Sequence, residues 1–282
     1  MNIRPLFDKK TVFSAEVFPP KKSGAMEGVI RALRKIAALD PDFISITCGA
    51  GGNGGATTSD VCSVAVDAFD LNAVAHFTCV NMTKAHCVEE LETLERKGID
   101  NILVLRGDVG EQSRFFDFRH ADELAAFILK TYPACNLIGA CYPEGHVEAD
   151  SLETDVDNLK RKIDAGVTHL ISQLFFDNAK FYRFRELAAK RGIAVPIEAG
   201  IMPVLNAAQI KRMVSMCGAS IPYELSRIIA LCGDDGADME RAGIDYAVGQ
   251  IEDLLAHGVD GIHLYSMNRG DVAETVFGRV RA

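Results

Sequence analysis

Glu16 is the first residue whose type and setting suggest chemistry. It sits in Thr11-Val-Phe-Ser-Ala-Glu-Val-Phe-Pro-Pro20, where Val12, Phe13, Val17 and Phe18 suit a pleated, buried surface. Pro19 and Pro20 then end the run, because neither can donate to a ladder. Burying an ionised carboxylate is costly unless it is paired or takes up a proton. An acid near the end of such a strand is therefore either locally compensated or a working group. Other apolar runs also close on polar residues: Thr47, His76, Arg106 with Asp108, Tyr142, Gln173 and, just past the last run, Arg269. Taken singly, His76 suits a hydrogen-bonded core histidine equally well, and Thr47 suits a structural role. One polar group per run, at corresponding places, reads instead as the lining of one pocket.

The elements that must position these groups alternate along the chain. Strands are expected near 11–18, 42–48, 73–79, 101–106, 136–142, 169–176, 195–201 and 261–265. Helices are expected near 25–38, 58–69, 120–131, 153–165 and 179–191, with one running from a Thr83 cap to about Gly98. Further helical stretches fill about 206–217, 222–231 and 237–257, and a short helix follows the last strand. Alternation of this kind calls for parallel pairing and right-handed crossovers. Eight units without a linker or low-complexity tract predict a single-domain α/β fold, a (βα)8 TIM barrel over residues 1–282, with an open doubly wound sheet as the alternative. In such barrels the chemistry gathers at the C-terminal ends of the strands, where the polar set falls. The seventh strand contributes the turn Gly200-Ile-Met-Pro203.

Bulk composition narrows the function classes. Hydrophobic residues make up 48% and charged residues 24% of the 282 residues, which allows a large globular core. A net charge of −9 argues against broad binding of nucleic acid or an anionic membrane, but not against one local basic pocket for a phosphate. No apolar run reaches transmembrane length, and residues 1–10 lack the apolar core of a signal peptide, so a cytoplasmic protein is expected. The eight cysteines show no C-x-x-C pair and no His cluster at zinc-ligand spacing, and no metal is expected. Cys48, Cys79 and Cys141 lie in strand-like runs and read as small buried hydrophobes in a reducing compartment.

Two patterns invite competing readings. Gly49-Ala-Gly-Gly-Asn-Gly54 spells a dinucleotide fingerprint, but it follows the second strand, not the first, and lies among further glycines. A mobile loop closing over the pocket is the better reading. Asp155, Asn158, Arg161 and Lys162 recur at helical spacing; they suit either a solvated face or contacts to a phosphorylated cofactor. His146, in Tyr142-Pro-Glu-Gly-His146, falls in a loop able to meet a cofactor.

The strand-end motifs resemble those of the methylenetetrahydrofolate reductases. In order they are Phe13-Ser-Ala-Glu-Val-Phe-Pro-Pro20, Leu105-Arg-Gly-Asp108, Tyr142-Pro-Glu-Gly-His146, Asn158-Leu-Lys-Arg-Lys-Ile-Asp-Ala-Gly166, Gln173-Leu-Phe-Phe-Asp177, Gly200-Ile-Met-Pro203 and Tyr265-Ser-Met-Asn-Arg269. The resemblance implies a (βα)8 barrel holding non-covalent FAD. It implies reduction of 5,10-methylenetetrahydrofolate to 5-methyltetrahydrofolate with NADH or NADPH, feeding methionine synthesis or one-carbon metabolism. Nicotinamide and folate would use one face of the flavin in turn.

By position the resemblance makes Glu16 the general acid and Asp108 the acid beside flavin and pterin. It makes Thr47, His76, Arg106, Gly107, Asp108, His120, Ala121, Tyr142, His146, Asp155, Asn158, Arg161 and Lys162 cofactor contacts. Asp108, Gln173, Gln209 and Arg269 become substrate contacts, with Thr47 and Gln173 also meeting nicotinamide. Three places depart from the family pattern: His120-Ala121 where a tyrosine is common, Met213 where a phenylalanine is common, and the glycine-rich 49–55 loop. The extra regulatory domain of eukaryotic relatives is not expected. A homo-oligomer is expected. The alternatives are a flavin- or folate-binding subunit fed by an electron-donor partner protein, and a pterin-binding barrel with other chemistry such as methyl transfer.

Overall fold

A computed structural model describes residues 1–20, 26–48, 57–111, 113–232 and 235–281. The glycine-rich 49–55 loop, expected to close over the pocket, lies outside the described residues. Eight parallel strands close into a barrel in sequence order: β1 (Val12–Val17), β2 (Phe43–Ile46), β3 (Ala73–Thr78), β4 (Asn101–Leu105), β5 (Asn136–Cys141), β6 (Val167–Ser172), β7 (Ile197–Ile201) and β8 (Gly261–Leu264). Closure is made by β1 against β8, where Val12 pairs with Gly261 and Ala15 with Leu264. The expected (βα)8 barrel is therefore the observed fold, and the open sheet is excluded.

The helices are α1 (Met26–Ala37), α2 (Thr58–Phe69), α3 (Lys84–Arg96), α4 (Ala121–Thr131), α5 (Leu152–Asp164), α6 (Asn178–Lys190), α7 (Ala207–Cys217), α8 (Tyr223–Cys232), α9 (Gly236–Ala256) and α10 (Gly270–Val280). Their starts follow local chemistry. The Thr83 side chain accepts from the His86 N–H at 3.1 Å, and Ser151 accepts from the Thr154 N–H at 3.1 Å, each satisfying a donor that the first helical turn leaves unpaired.

Alternation along each strand sorts the side chains. One set packs outward against the helices, including Ala15, Val17, Ile44, Ile46, Ala75, Ile102 and Leu137. The other points into the barrel, where Val12, Phe43, Val74, Leu103, Ile138 and Ile171 form a dry layer closed from below by Ile3 and Leu6. Glu16 is four residues beyond Val12, so it also points inward, at the opposite end of the barrel.

The sixth strand departs from expectation. It begins at Val167 and ends at Ser172, so Leu174, Phe175 and Phe176 lie beyond it. Their apolarity answers to helices rather than to a ladder. Phe175 stacks on Phe181 of α6 with centroids 5.0 Å apart, and Leu174 and Phe176 join a second core with Met202, Ile210, Leu225 and Met239 under α7 to α9. An apolar run reports burial, and burial alone does not distinguish a strand from its flanking loop.

Candidate active site

The strand-end residues do meet at one mouth. Glu16 is the penultimate residue of β1, Thr47 follows β2, and His76 lies within the last half of β3. Arg106 follows β4, Tyr142 follows β5, Gln173 follows β6, and Tyr265 follows β8.

At the centre, Glu16 is buried, and its Oε2 lies 3.7 Å from His76 Nε2. Burial pushes the Glu16 carboxyl up to about 8 and the His76 imidazole down to about 3. Each shift disfavours the charged form. At neutral pH the contact is thus between a carboxylic acid and a neutral ring, not an ion pair. Among the described residues no cation pulls the Glu16 proton away. Among the described residues His76 Nε2 has no hydrogen-bond partner, leaving a buried polar atom aimed at the carboxyl.

Below this pair lies a polar layer that sequence reasoning missed. Ser14 Oγ is 2.6 Å from both Glu198 Oε2 and His263 Nδ1, and His263 Nε2 is 3.3 Å from Ser45 Oγ. All four residues are buried. Burial holds Glu198 well above the carboxylate range and His263 near 3, so the layer is uncharged. A serine hydroxyl has one hydrogen; a protonated Glu198 can donate to it and leave it free to donate to Nδ1. Glu198 carried the signal that marked Glu16, an acid inside Val195-Pro-Ile-Glu-Ala-Gly-Ile201. Tyr265 caps this layer. Its hydroxyl donates to the Ser172 carbonyl at 2.7 Å, and its ring meets His263 edge-on. Gly200 makes room for it, because a Cβ there would lie 2.6 Å from the Tyr265 ring and 2.2 Å from the Ser172 carbonyl oxygen.

A second group lies beside the first, around Tyr142. Lys162 Nζ donates to the Ala140 carbonyl at 2.6 Å and stands 6.0 Å from the Tyr142 ring centroid, while His146 packs edge-on to the same ring. Asp155 accepts from the His146 N–H at 3.2 Å. Burial lowers the Lys162 ammonium and raises the Asp155 carboxyl, each opposed by the charge of the other. Burial and the Arg106 charge lower His146. Arg161 donates to Asn158 on the same helix. Within the helical set Asp155, Asn158 and Lys162 are half-buried and Arg161 is exposed. Gly107 follows Arg106 at φ +86°, and a Cβ there would press on Thr78 and Val80 at 3.0–3.3 Å, so the chain turns sharply into the loop that carries Asp108. Asp108 is exposed, and its charge acts on both Arg106 and Tyr142.

The remaining expected residues lie toward the rim. Gln173 turns its Oε1 onto the Leu174 N–H at 2.8 Å, and Gln209 on α7 accepts from the Leu205 N–H at 3.3 Å. Arg269 is clasped by Glu240 and Asp271, with Nη2 at 2.8 Å and 2.6 Å from their oxygens. His120 is exposed at the start of α4, where Glu123 accepts from the Arg119 N–H at 2.7 Å, and Ala121 is buried. Met213 is half-buried against the second core. Of the cysteines read as buried, Cys79 and Cys141 are, but Cys48 is exposed, because β2 ends two residues before it and its thiol reaches the His76 carbonyl from the loop. At the opposite end of the barrel a cleft of about 300 Å³ is lined by Lys10, Asp40, Asp42 and Asp70. It opens at the N-terminal ends of the strands and holds none of the strand-end residues described above.

Fold and site together define a (βα)8 barrel of the enzymatic kind, with a buried proton-bearing carboxyl at the strand C-termini and a cationic, aromatic patch beside it. A family model described as methylenetetrahydrofolate reductase matches residues 2–281, and the chain belongs to that family. It is 33% identical over 267 residues to the 5,10-methylenetetrahydrofolate reductase of Escherichia coli K12, covering 93% of this chain and 88% of that protein. It is 34% identical over 274 residues to methylenetetrahydrofolate reductase (NADH) 1 of Arabidopsis thaliana, covering 92% of this chain but only 46% of the plant protein. A solved structure described as an uncharacterized Clostridium thermocellum protein that binds two copies of 5-methyl-5,6,7,8-tetrahydrofolic acid superposes with a TM-score of 0.70 at 14% identity, over 99% of this chain and 100% of that one. That likeness concerns the fold. No described helix is long and apolar enough to cross a membrane.

Proposed function

We propose that this chain reduces 5,10-methylenetetrahydrofolate to 5-methyltetrahydrofolate, with FAD as resident cofactor and NADH or NADPH as electron donor. The observation that carries the reading is Glu16, a carboxyl held protonated near neutrality at the mouth of the barrel. The reaction needs such a group. Protonation of the folate N10 lets the C–N10 bond of the five-membered ring break, and the remaining N5 iminium accepts a hydride at its methylene carbon to become methyl. Glu16 supplies that proton and recovers it from solvent. As an anion it would be left in a site that penalises charge, which favours its reloading. The neutral His76 beside it offers no positive charge to stabilise that anion. Asp108 contributes negative charge at the rim, favourable to the cationic iminium.

The residues around Tyr142 fit FAD. Arg106, Arg161 and Lys162 offer donors for phosphate oxygens. Tyr142 offers an aromatic face, and Thr47, His146, Asp155 and Asn158 offer polar groups for sugar and ring heteroatoms. His76, Gly107, Asp108, His120 and Ala121 would complete the contact set. When bound, FAD supplies a hydride carrier that nicotinamide can load and folate can unload. Gln173, Gln209 and Arg269 would receive substrate, with Thr47 and Gln173 also receiving nicotinamide. A homo-oligomer in the cytoplasm is part of the same proposal. The test is anaerobic stopped-flow of the purified flavoprotein with NADH and NADPH separately, followed by methylenetetrahydrofolate. The reading expects flavin absorbance to bleach with a nicotinamide and to return with the folate. Colourless protein, or flavin that neither nicotinamide bleaches, would overturn it.

A further inference from the structure

The Arg106 guanidinium already has a partner. Its guanidinium grips Glu148 with two prongs, Nη1 to Oε2 at 2.5 Å and Nη2 to Oε1 at 2.7 Å. That fork is the geometry with which arginine takes a phosphate. The acid is brought there by the loop after β5. The Glu148 N–H donates to His146 Nδ1 at 3.1 Å, and the His146 N–H is itself held by Asp155 of α5. The two residues are 42 apart in sequence, so the pairing is a tertiary contact between two strand-end loops.

We propose that Glu148 is an internal stand-in for the phosphate of the cofactor. It occupies both prongs of the Arg106 guanidinium and competes with the incoming anion for the same donors. This rests on the reading of Arg106 as a FAD contact. Arg106 is 27% and Glu148 57% exposed, so the pair is wet and opens cheaply. Its cost to the cofactor is correspondingly modest. Glu148 must surrender the fork, and its charge stays near the phosphate. The consequence is directional: removing the negative charge tightens binding of a flavin that carries phosphate, and leaves one that lacks it unaffected.

The test uses flavin-free protein titrated with FAD and with riboflavin by flavin fluorescence, for the parent and Glu148→Gln, at low salt and at high salt. The proposal expects Glu148→Gln to bind FAD roughly twofold to fivefold more tightly at low salt, the range that exposed ion pairs span. It expects the gain to shrink at high salt and to be absent for riboflavin. Equal or weaker FAD binding by the variant overturns the proposal, as does a gain shared by riboflavin or one indifferent to salt. If the parent binds no FAD at all, the cofactor reading itself fails and the proposal falls with it. That result is distinct from a parent that binds FAD and a variant that matches it.

Discussion

Glu16→Gln is the substitution that bears most directly on the proposed chemistry. Glutamine keeps the size and polarity of the side chain but cannot give a proton. With the carboxyl near 8, about nine in ten Glu16 side chains are protonated at pH 7; at the ordinary value of 4.5 only about three in a thousand would be. Burial thus supplies nearly the full population of acid at working pH. A positioned general acid contributes roughly 10²–10⁴ in rate, or about 3–5 kcal/mol at roughly 1.36 kcal/mol per tenfold. The folate half-reaction, followed in single turnover from pre-reduced flavin, should slow by about that factor, while FAD content and reduction by nicotinamide stay close to parental. The parental folate rate should also fall above about pH 8 as Glu16 ionises, and the variant's should not follow that decline. A variant that reduces folate at the parental rate, or retains the parental pH dependence, would refute the assignment.

The same carboxyl makes a stability prediction. Between pH 4.5 and about 8 the folded chain holds a proton that the unfolded chain has released, so this group's contribution to stability declines as pH rises through that window. At roughly 1.36 kcal/mol per pH unit the ceiling is about 5 kcal/mol. Urea unfolding should therefore shift in favour of Glu16→Gln, relative to the parent, between pH 5 and pH 8.5; a constant difference would contradict the raised carboxyl. Asp108→Asn should lower folate turnover roughly tenfold by removing the rim charge, and unchanged half-reaction rates would sink that role. Lys162→Met keeps the stem but removes the charge, and should weaken FAD binding roughly tenfold or more in a fluorescence titration, the usual worth of a charge-assisted hydrogen bond. Gly200→Ala should cost at least about 1–3 kcal/mol in denaturant unfolding. Trimming Tyr265 should not rescue it, because the closest atom to the new Cβ is the Ser172 carbonyl oxygen.

Much of the site was legible because barrel topology turns sequence position into spatial position. Once eight strands are recognised, the last residues of each must share one mouth, and Glu16, His76, Arg106, Tyr142 and Gln173 follow. The sixth strand was misplaced because Leu174, Phe175 and Phe176 are buried by helices, which an apolar run cannot disclose. Glu198 itself carried the local signal of an acid in an apolar run, but its layer was not legible: its neighbours Ser14, Ser45 and His263 are ordinary residues on three other strands, and nothing local connects them.

By itself, then, the sequence determined the order of elements, the closed barrel they imply and the oddity of an acid in a buried strand. These depend on periodicity, turn residues and strand count, all of which are local. The partners of each charge were decided only by the tertiary structure. Glu16 has a neutral histidine beside it rather than a cation, Arg106 is already gripped by Glu148, and Arg269 by Glu240 and Asp271. Apart from Asp271, two residues from Arg269, these partners lie 29 to 60 positions apart in sequence, and their energies vary steeply with distance and burial. Only the folded chain sets either quantity.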